Sequence, residues 1–179
     1  NMSSAMLEAY RSIFPKASFF VWSRTPKNAA NFAQKNSINL VKNLRDAVRS
    51  ADIICTATMS AEPLIKGDWL QPGQHIDLIG AYRPDMRELD DNAIKKGKIF
   101  VDSYETTLEH IGEIKLPLKS GVIKSSDILA DFYSLDRFKR SSLSDITIAK
   151  NGGGAHLDLM TGKYILKKWK KSIKSLNIN

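Results

Sequence analysis

Short β-rich runs alternate with helical patterns along most of this chain, and that alternation constrains its fold more than any other feature. The longest apolar run, ADIICTAT at residues 51–58, is typical of a strand buried on both faces of a parallel sheet. Similar runs, separated by helical patterns, occupy residues 18–22, 38–41, 75–81, 98–103 and 144–150. Because parallel strands need crossover connections, the alternation predicts an α/β fold with a Rossmann-like, doubly wound, mostly parallel sheet.

Helical patterns fill the intervals between these runs. The chain opens in a predicted helix that ends before Pro15, because proline disfavours helix at the residue preceding it. Thr25 and Pro26 suit the N-cap and the first position of a second helix. A polar helix is expected over residues 88–97, and residues 104–140 are interpreted as helices and loops.

The opening of the chain lacks one feature of a dinucleotide-binding fold. Such a fold begins with a strand and a glycine-rich turn, because glycines let the backbone approach the pyrophosphate at a helix N-terminus. This sequence begins in the helix that would follow that turn. We therefore expect an N-terminally truncated piece of a longer protein, without the first strand of its sheet.

Composition excludes several classes of protein. No apolar run approaches the roughly 20 residues of a membrane span, and the first residues do not resemble a secretory signal. The single cysteine, Cys55, excludes a disulfide framework and a Cys-based zinc finger, and its place in an apolar run predicts an inert core thiol. We expect a cytoplasmic protein without a metal site.

The net charge of +8 is concentrated at the end of the chain. Six lysines and no acidic residue follow Asp158, so the preceding residues carry a net charge of only +2. In this last segment Tyr164, Ile165, Trp169 and Ile173 recur at helical spacing. The pattern predicts one amphipathic helix with a solvated cationic face, with membrane or nucleic-acid contact as the alternative. We expect neither nucleic acid nor membrane as a partner.

Three stretches are distinctive in combination: residues 55–91, 98–105 and 145–165. The most specific segment within them is GAYRPDMRELD at residues 80–90, which is not a general feature of Rossmann folds. Together they resemble the ornithine cyclodeaminase/mu-crystallin family, and the resemblance runs over essentially the entire chain.

The resemblance implies two domains. Residues 1–150 would form a Rossmann-type domain that binds a nicotinamide cofactor. Residues 151–179 would form a glycine turn and a C-terminal helix that return to a second domain, which forms a homodimer and supplies groups that bind a small imino or amino acid.

Ser23, Arg24 and Thr25 stand at the end of the second predicted Rossmann strand, where dinucleotide enzymes distinguish NAD from NADP. No acidic residue is present to bind the ribose 2′-hydroxyl of NAD. The guanidinium of Arg24 and its two hydroxyl neighbours suit a 2′-phosphate instead, and family resemblance also favours NADPH or NADP over NAD. The alternative is a solvated arginine in a loop before a helix.

Further cofactor contacts are expected at the carboxyl ends of two later strands, where open α/β sheets bind ligands. Thr56, Thr58 and Met59 lie at the end of the longest apolar run and would lie along the cofactor, or form an ordinary loop of small residues. Ser103 would line the same pocket or cap a helix.

Lys150 precedes a glycine turn that matches neither standard phosphate-binding motif. By resemblance, the backbone of Gly152 and Gly153 approaches the nicotinamide. His156 follows in the helix, where it would transfer protons beside a substrate or simply pack.

Tyr82 occupies the position at which the activity of relatives diverges. Ornithine cyclodeaminases that resemble this chain carry a catalytic aspartate two residues after the glycine corresponding to Gly80. A phenol with a pKa near ~10 is a poor base at neutral pH. Relatives without the aspartate include reductases of cyclic imino acids, in which Tyr82 would donate a proton or line the nicotinamide pocket.

The acidic residues after Tyr82 have a structural interpretation. Pro84 and Asp85 suit a turn, whereas Glu88 and the acids after it suit the first turn of a helix, where the helix dipole favours negative charge.

Three functional hypotheses follow. The first is NADPH-dependent reduction of Δ1-pyrroline-2-carboxylate or Δ1-piperideine-2-carboxylate to the amino acid. The second is an ornithine cyclodeaminase that converts ornithine to proline and ammonia with bound NAD. The third is a non-catalytic NADPH-binding protein of the mu-crystallin type. Tyr82 and Arg24 favour the first.

Overall fold

The computed structural model describes residues 2–176, so Asn1 and residues 177–179 at the ends of the two expected domains lie outside the described residues. The strands are β1 (Phe20–Val21), β2 (Asn39–Leu40), β3 (Ile53–Thr56), β4 (His75–Leu78), β5 (Gly97–Val101), β6 (Ile128–Ala130) and β7 (Ile146–Lys150). The helices are α1 (Met2–Ile13), α2 (Pro26–Asn36), α3 (Leu44–Ser50), α4 (Asp91–Lys96), α5 (Tyr104–Thr107), α6 (Gly112–Lys119) and α7 (Ala155–Leu176). The predicted α/β architecture with a parallel sheet and a C-terminal helix is confirmed.

Five strands form one sheet in the order β3-β4-β7-β5-β6, and β1 and β2 form a separate pair. Every pairing is parallel. The last strand in sequence, β7, lies in the centre of the larger sheet, between β4 and β5. All five carboxyl ends therefore meet at one edge of this sheet, which we call the carboxyl edge.

The six apolar runs all contain strands, each shorter than the run that predicted it. One strand was missed, because β6 lies within the segment expected to hold only helices and loops. Its three residues, Ile-Leu-Ala, are too few to show a strand periodicity. Helix α1 ends before Pro15 as predicted. Thr25 is the N-cap of α2 with Pro26 next, although its side chain makes no capping hydrogen bond.

Aliphatic side chains of the strands and of the helices packed against them form the hydrophobic core. The fully buried members include Ile76, Leu78, Ile94, Ile114 and Ile148.

The prediction of a core thiol at Cys55 is wrong, because Cys55 is exposed. Successive strand residues point to opposite faces, so Ile54 and Thr56 are buried while Cys55 projects from the other face of this edge strand.

Helix α7 is the amphipathic helix that the lysine-rich segment predicted, but most of its described apolar side chains are exposed together with its lysines, whereas Leu157 and Ile173 are half-buried. The exposed apolar residues are Leu159, Met160, Tyr164, Ile165, Leu166 and Trp169. In the described part of the chain, no helix is both long enough and apolar enough to cross a membrane.

Candidate functional site

Loops that follow four strands bring most of the predicted site residues to the carboxyl edge. Thr56 ends β3, Thr58 and Met59 follow it, and Tyr82 follows β4. The remaining predicted residues at this edge are Ser103, after β5, and Gly152 and Gly153, after β7. Because ligands of open parallel sheets bind at this edge, the loops form the candidate site.

Thr56 and Thr58 are held by hydrogen bonds to a buried carboxylate. The hydroxyls of Thr56 and Thr58 each donate a hydrogen bond of 2.7 Å to the carboxylate of Glu88. The backbone N–H of Thr58 donates to the same carboxylate at 2.8 Å. These hydroxyls are therefore already engaged, and the prediction that the loop contacts a cofactor applies best to its backbone and to Met59.

Glu88 is fully buried and also accepts hydrogen bonds from the backbone N–H groups of Gly80, at 3.1 Å, and Ala81, at 3.4 Å. The expectation that Glu88 belongs to the first turn of a helix is wrong. Helix α4 begins only at Asp91, and its N-cap is Asp90, whose side chain accepts from Ala93 N. A carboxylate that joins segments far apart in sequence leaves no local pattern, which is why sequence reasoning missed this role.

A second buried acid lies behind Glu88. The carboxylate of Glu113, in α6, accepts from the backbone N–H of Glu88 at 2.6 Å and of Leu89 at 2.9 Å. Burial raises the pKa of Glu113 to about 7, although these two hydrogen bonds act in the opposite direction. Sequence reasoning also missed Glu113, which lies among apolar residues of a short helix.

Lys150 is the buried cation of this region. Its Nζ donates to the carbonyl oxygens of Leu78, at 3.1 Å, and Asn151, at 2.7 Å. Burial lowers the pKa of Lys150, and the nearby carboxylates, Glu113 first among them, raise it. The sequence signal for this buried lysine was its position at the end of an apolar strand. Lysine is rarely buried unless its charge has partners, so a lysine at such a position indicates a specific role.

Tyr82 and Met59 are large exposed side chains of these loops, with 55% and 72% of their surfaces accessible. Tyr82 Oη lies 4.0 Å from Met59 Sδ, a weak contact that brings the loops after β3 and β4 together. Among the described residues the tyrosine hydroxyl has no stronger hydrogen-bond partner. It is free to turn toward a ligand.

The glycine turn is anchored by Asp102, a fully buried residue that follows β5. One carboxylate oxygen accepts from Gly153 N at 2.9 Å, and the other accepts from the Thr107 hydroxyl at 2.7 Å. His156 Nε2 lies 3.6 Å from the first oxygen, so the beginning of α7 is held close to the turn. Gly153 has φ of 72° and open space around it, which leaves its backbone accessible.

Ser103 is the N-cap of α5, and its hydroxyl accepts from Thr106 N at 3.5 Å. The capping interpretation therefore describes its contact, and a role in lining the cofactor pocket stays a prediction.

Ser23, Arg24 and Thr25 lie in the segment between β1 and α2. They follow a strand of the separate pair rather than a strand of the larger sheet. Thr25 N donates to Ser23 Oγ at 3.3 Å, and Arg24 is exposed. No ion pair to Arg24 is formed within residues 2–176, so its guanidinium is available for an anion.

These features fit a nicotinamide dinucleotide. The accessible turn at Gly153 would let a flat ring approach the backbone, exposed Tyr82 and Met59 would flank it, and Arg24 would meet a phosphate. For the described residues, no group of three His, Cys, Asp or Glu side chains is arranged to hold a metal ion.

Comparison with known proteins identifies the family. The model of the ornithine cyclodeaminase/mu-crystallin family matches residues 1–172. The chain is 43% identical over 175 residues to a Δ1-pyrroline-2-carboxylate reductase of Paracoccus denitrificans, covering 93% of this chain and 55% of that protein.

Two solved structures resemble this fold. One is the Thermococcus litoralis Δ1-pyrroline-2-carboxylate reductase in complex with NADH and L-proline, with 34% identity, a TM-score of 0.76, and coverage of 86% of this chain and 50% of that one. The other is an archaeal alanine dehydrogenase dimer with bound NAD, with 29% identity, a TM-score of 0.82, and coverage of 95% and 55%. The chain thus spans about half the length of the relatives it matches. It belongs to the ornithine cyclodeaminase/mu-crystallin family.

Proposed function

We propose that the protein containing this chain uses NADPH to reduce a small cyclic imino acid, Δ1-pyrroline-2-carboxylate or Δ1-piperideine-2-carboxylate, to the corresponding amino acid. The observation that carries the proposal is Tyr82, an exposed phenol at the carboxyl edge where cyclodeaminases that resemble this chain have an aspartate. The similarity to two pyrroline-carboxylate reductases supports the same reaction class.

Reduction of a C=N bond requires a hydride at carbon and a proton at nitrogen. The nicotinamide cofactor, when bound, supplies the hydride. Tyr82 would donate its hydroxyl proton to the nitrogen, giving the amine, and water would reprotonate the phenolate. The Tyr82 side chain is exposed and its hydroxyl makes only a weak contact with Met59, so the hydroxyl can reach a bound substrate without breaking a strong hydrogen bond.

The cofactor would lie along the carboxyl edge. Gly152 and Gly153 would approach the nicotinamide, while the loop of Thr56, Thr58 and Met59 would contact the cofactor beside them. Ser103 would line the same pocket. Arg24, with Ser23 and Thr25, would bind the 2′-phosphate of NADPH, because a free guanidinium can form two charge-assisted hydrogen bonds to it.

Helix α7 would connect this domain, residues 1–150, to a second one. Residues 151–179 would return to a domain that dimerises and binds the substrate carboxylate. The exposed apolar side chains of α7 support this arrangement, because six such residues on one helix are rarely left in water.

The test of the reaction uses the complete protein. NADPH oxidation is followed with Δ1-pyrroline-2-carboxylate, and ammonia release is followed in parallel with ornithine and NAD. Imine-dependent oxidation without ammonia is expected. Ammonia release would support the cyclodeaminase instead, and cofactor binding without either reaction would support a non-catalytic protein.

Tyr82→Phe tests the proton donor. The variant should lose about 100-fold in kcat, the lower range for general acid catalysis, while its affinity for NADPH stays the same. Stopped-flow turnover and fluorescence titration measure the two quantities. An unchanged kcat would leave Tyr82 as a lining residue only.

Arg24→Ala tests the cofactor preference, with Arg49→Ala at the end of α3 as an exposed control. Loss of the guanidinium should weaken NADPH about tenfold or more, since hydrogen bonds to charged groups contribute roughly 1.5–3 kcal/mol. NADH binding should hardly change, and Arg49→Ala should affect neither. Equal losses for both cofactors would contradict the proposed 2′-phosphate contact.

A further inference from the structure

A single buried carboxylate joins the two loops that carry Met59 and Tyr82. Oε1 of Glu88 accepts from the backbone N–H and the hydroxyl of Thr58, in the loop after β3. Oε2 accepts from the backbone N–H groups of Gly80 and Ala81, in the loop after β4, and from Thr56. Oε1 therefore anchors the loop after β3, and Oε2 joins the loop after β4 to Thr56 at the end of β3. The carboxylate thus sets the distance between the two loops.

The backbone of Glu88 is itself fixed on both sides. Its N–H donates to Glu113 at 2.6 Å, and its carbonyl oxygen accepts from the backbone N–H groups of Leu64 and Ile65, each at 2.9 Å. Gly112, next to Glu113, donates to the carbonyl of Arg83 at 2.9 Å. The backbone that carries this carboxylate is thus held by hydrogen bonds at both its N–H and its carbonyl group.

Met59 and Tyr82 each lie one residue beyond an anchored position, Thr58 and Ala81 respectively. Displacement of either anchor would move these exposed side chains directly. Misplacement of a reacting group by about 1 Å can cost roughly 100-fold in rate.

We propose that Glu88 is a positioning residue, which holds the loops after β3 and β4 at the separation that the cofactor and Tyr82 require. This inference rests on the proposed function but concerns a residue that would touch neither cofactor nor substrate. It also explains why an acid stands at this place in the GAYRPDMRELD segment.

Five donors surround the side chain, and an ionised carboxylate is the group that offers acceptors alone on both of its oxygens. In Glu88→Gln an NH₂ replaces one oxygen. At the Oε1 position it would face the N–H of Thr58, and at the Oε2 position it would face those of Gly80 and Ala81. Hydroxyls can rotate to accept, but backbone N–H groups cannot, so at least one loop must lose its anchor.

Asp90→Asn provides a matched control. Asp90 lies two residues along the same segment, and its Oδ1 accepts from the backbone N–H groups of Ala93, at 2.8 Å, and Gly67, at 2.9 Å. This substitution also replaces a carboxylate by an amide, but the amide oxygen of asparagine can still accept both hydrogen bonds. It therefore removes a negative charge outside both loops without removing an anchor.

The experiment compares the complete wild-type protein with both variants at a temperature at which all three are folded. Fluorescence titration gives the Kd for NADPH, steady-state kinetics give kcat and KM for the imine, and amide hydrogen exchange reports on individual loops. We expect Glu88→Gln to weaken NADPH roughly tenfold, to lower kcat, and to accelerate exchange at Thr58, Gly80 or Ala81. Asp90→Asn should leave the exchange rates of both loops, Kd and kcat at wild-type values.

The proposal is overturned if both variants change Kd and kcat equally, or if exchange accelerates in the loops while Kd and kcat stay at wild-type values. If Glu88→Gln does not fold, Thr58→Val removes one hydroxyl contact with Oε1. It should accelerate amide exchange in the loop after β3 and weaken NADPH about threefold, the lower range for one hydrogen bond. Unchanged exchange in that loop, or an unchanged Kd and kcat, would contradict the proposal. If the wild-type protein binds no nicotinamide nucleotide, the proposed function itself fails, and this inference fails with it.

Discussion

The loops around Glu88 and the surface of α7 differ in how their side chains are satisfied. Around Glu88, a fully buried acid and its five donors are paired entirely within the described chain. On α7, apolar side chains from Leu159 to Trp169 are exposed, and they have more than 40% of their surfaces accessible. The polar groups around Glu88 therefore find their partners within this chain. The apolar surface of α7, by contrast, is exposed to solvent.

The two regions should therefore differ in how well they tolerate substitutions. A buried polar group is costly to leave unpaired, so the geometry of the Glu88 region is tightly constrained. An exposed helix surface makes few contacts that a substitution can break. Adding the same methyl group to a glycine in each region should therefore have opposite effects.

Gly80→Ala is expected to have the largest effect on stability. A Cβ at this position would overlap the backbone N and O of Thr58 and the carboxylate of Glu88. The two loops would have to separate, and we expect a loss of about 3 kcal/mol, the upper end of the usual cost of overpacking. Thermal unfolding followed by circular dichroism measures the loss. A midpoint equal to that of the wild-type protein would show that the loops separate easily, which would remove the contrast with α7.

Gly162→Ala should have a smaller effect of the opposite sign. Gly162 lies within α7, and apart from its chain neighbours and the backbone of its own helix no described atom lies within 4 Å of the position that a Cβ would occupy. Alanine is favoured over glycine in a helix interior by about 1 kcal/mol, so the unfolding midpoint should rise slightly. A clear loss of stability in the complete protein would mean that this surface of α7 is covered there, and it would locate a close contact at Gly162.

Local sequence patterns were sufficient for much of the fold. The apolar runs located six strands, and Pro15 and Pro26 marked helix boundaries, because these signals depend on neighbouring residues. The same reasoning missed β6, whose three residues carry no periodicity, and it placed Cys55 in the core by its apolar neighbours rather than by the face of the strand.

The candidate site divides in the same way. The strand ends correctly predicted that Thr58, Met59, Tyr82 and the glycine turn share the carboxyl edge, since parallel strands place their ends together. Glu88, by contrast, was assigned to a helix start, because acids near a helix pattern usually belong there. Its actual contacts include Thr56, 32 residues away, which no local pattern could reveal.

Residue patterns along the chain were enough to predict the α/β class, the approximate positions of most strands, the cationic C-terminal helix and the family resemblance. The folded chain was needed to show that β7 lies in the centre of the sheet, 72 residues from its partner in β4, and that Glu88, Glu113 and Lys150 are buried behind the loops. The physical reason is range: propensity and periodicity act over a few residues, whereas strand order and the burial of charged groups depend on which distant segments satisfy one another.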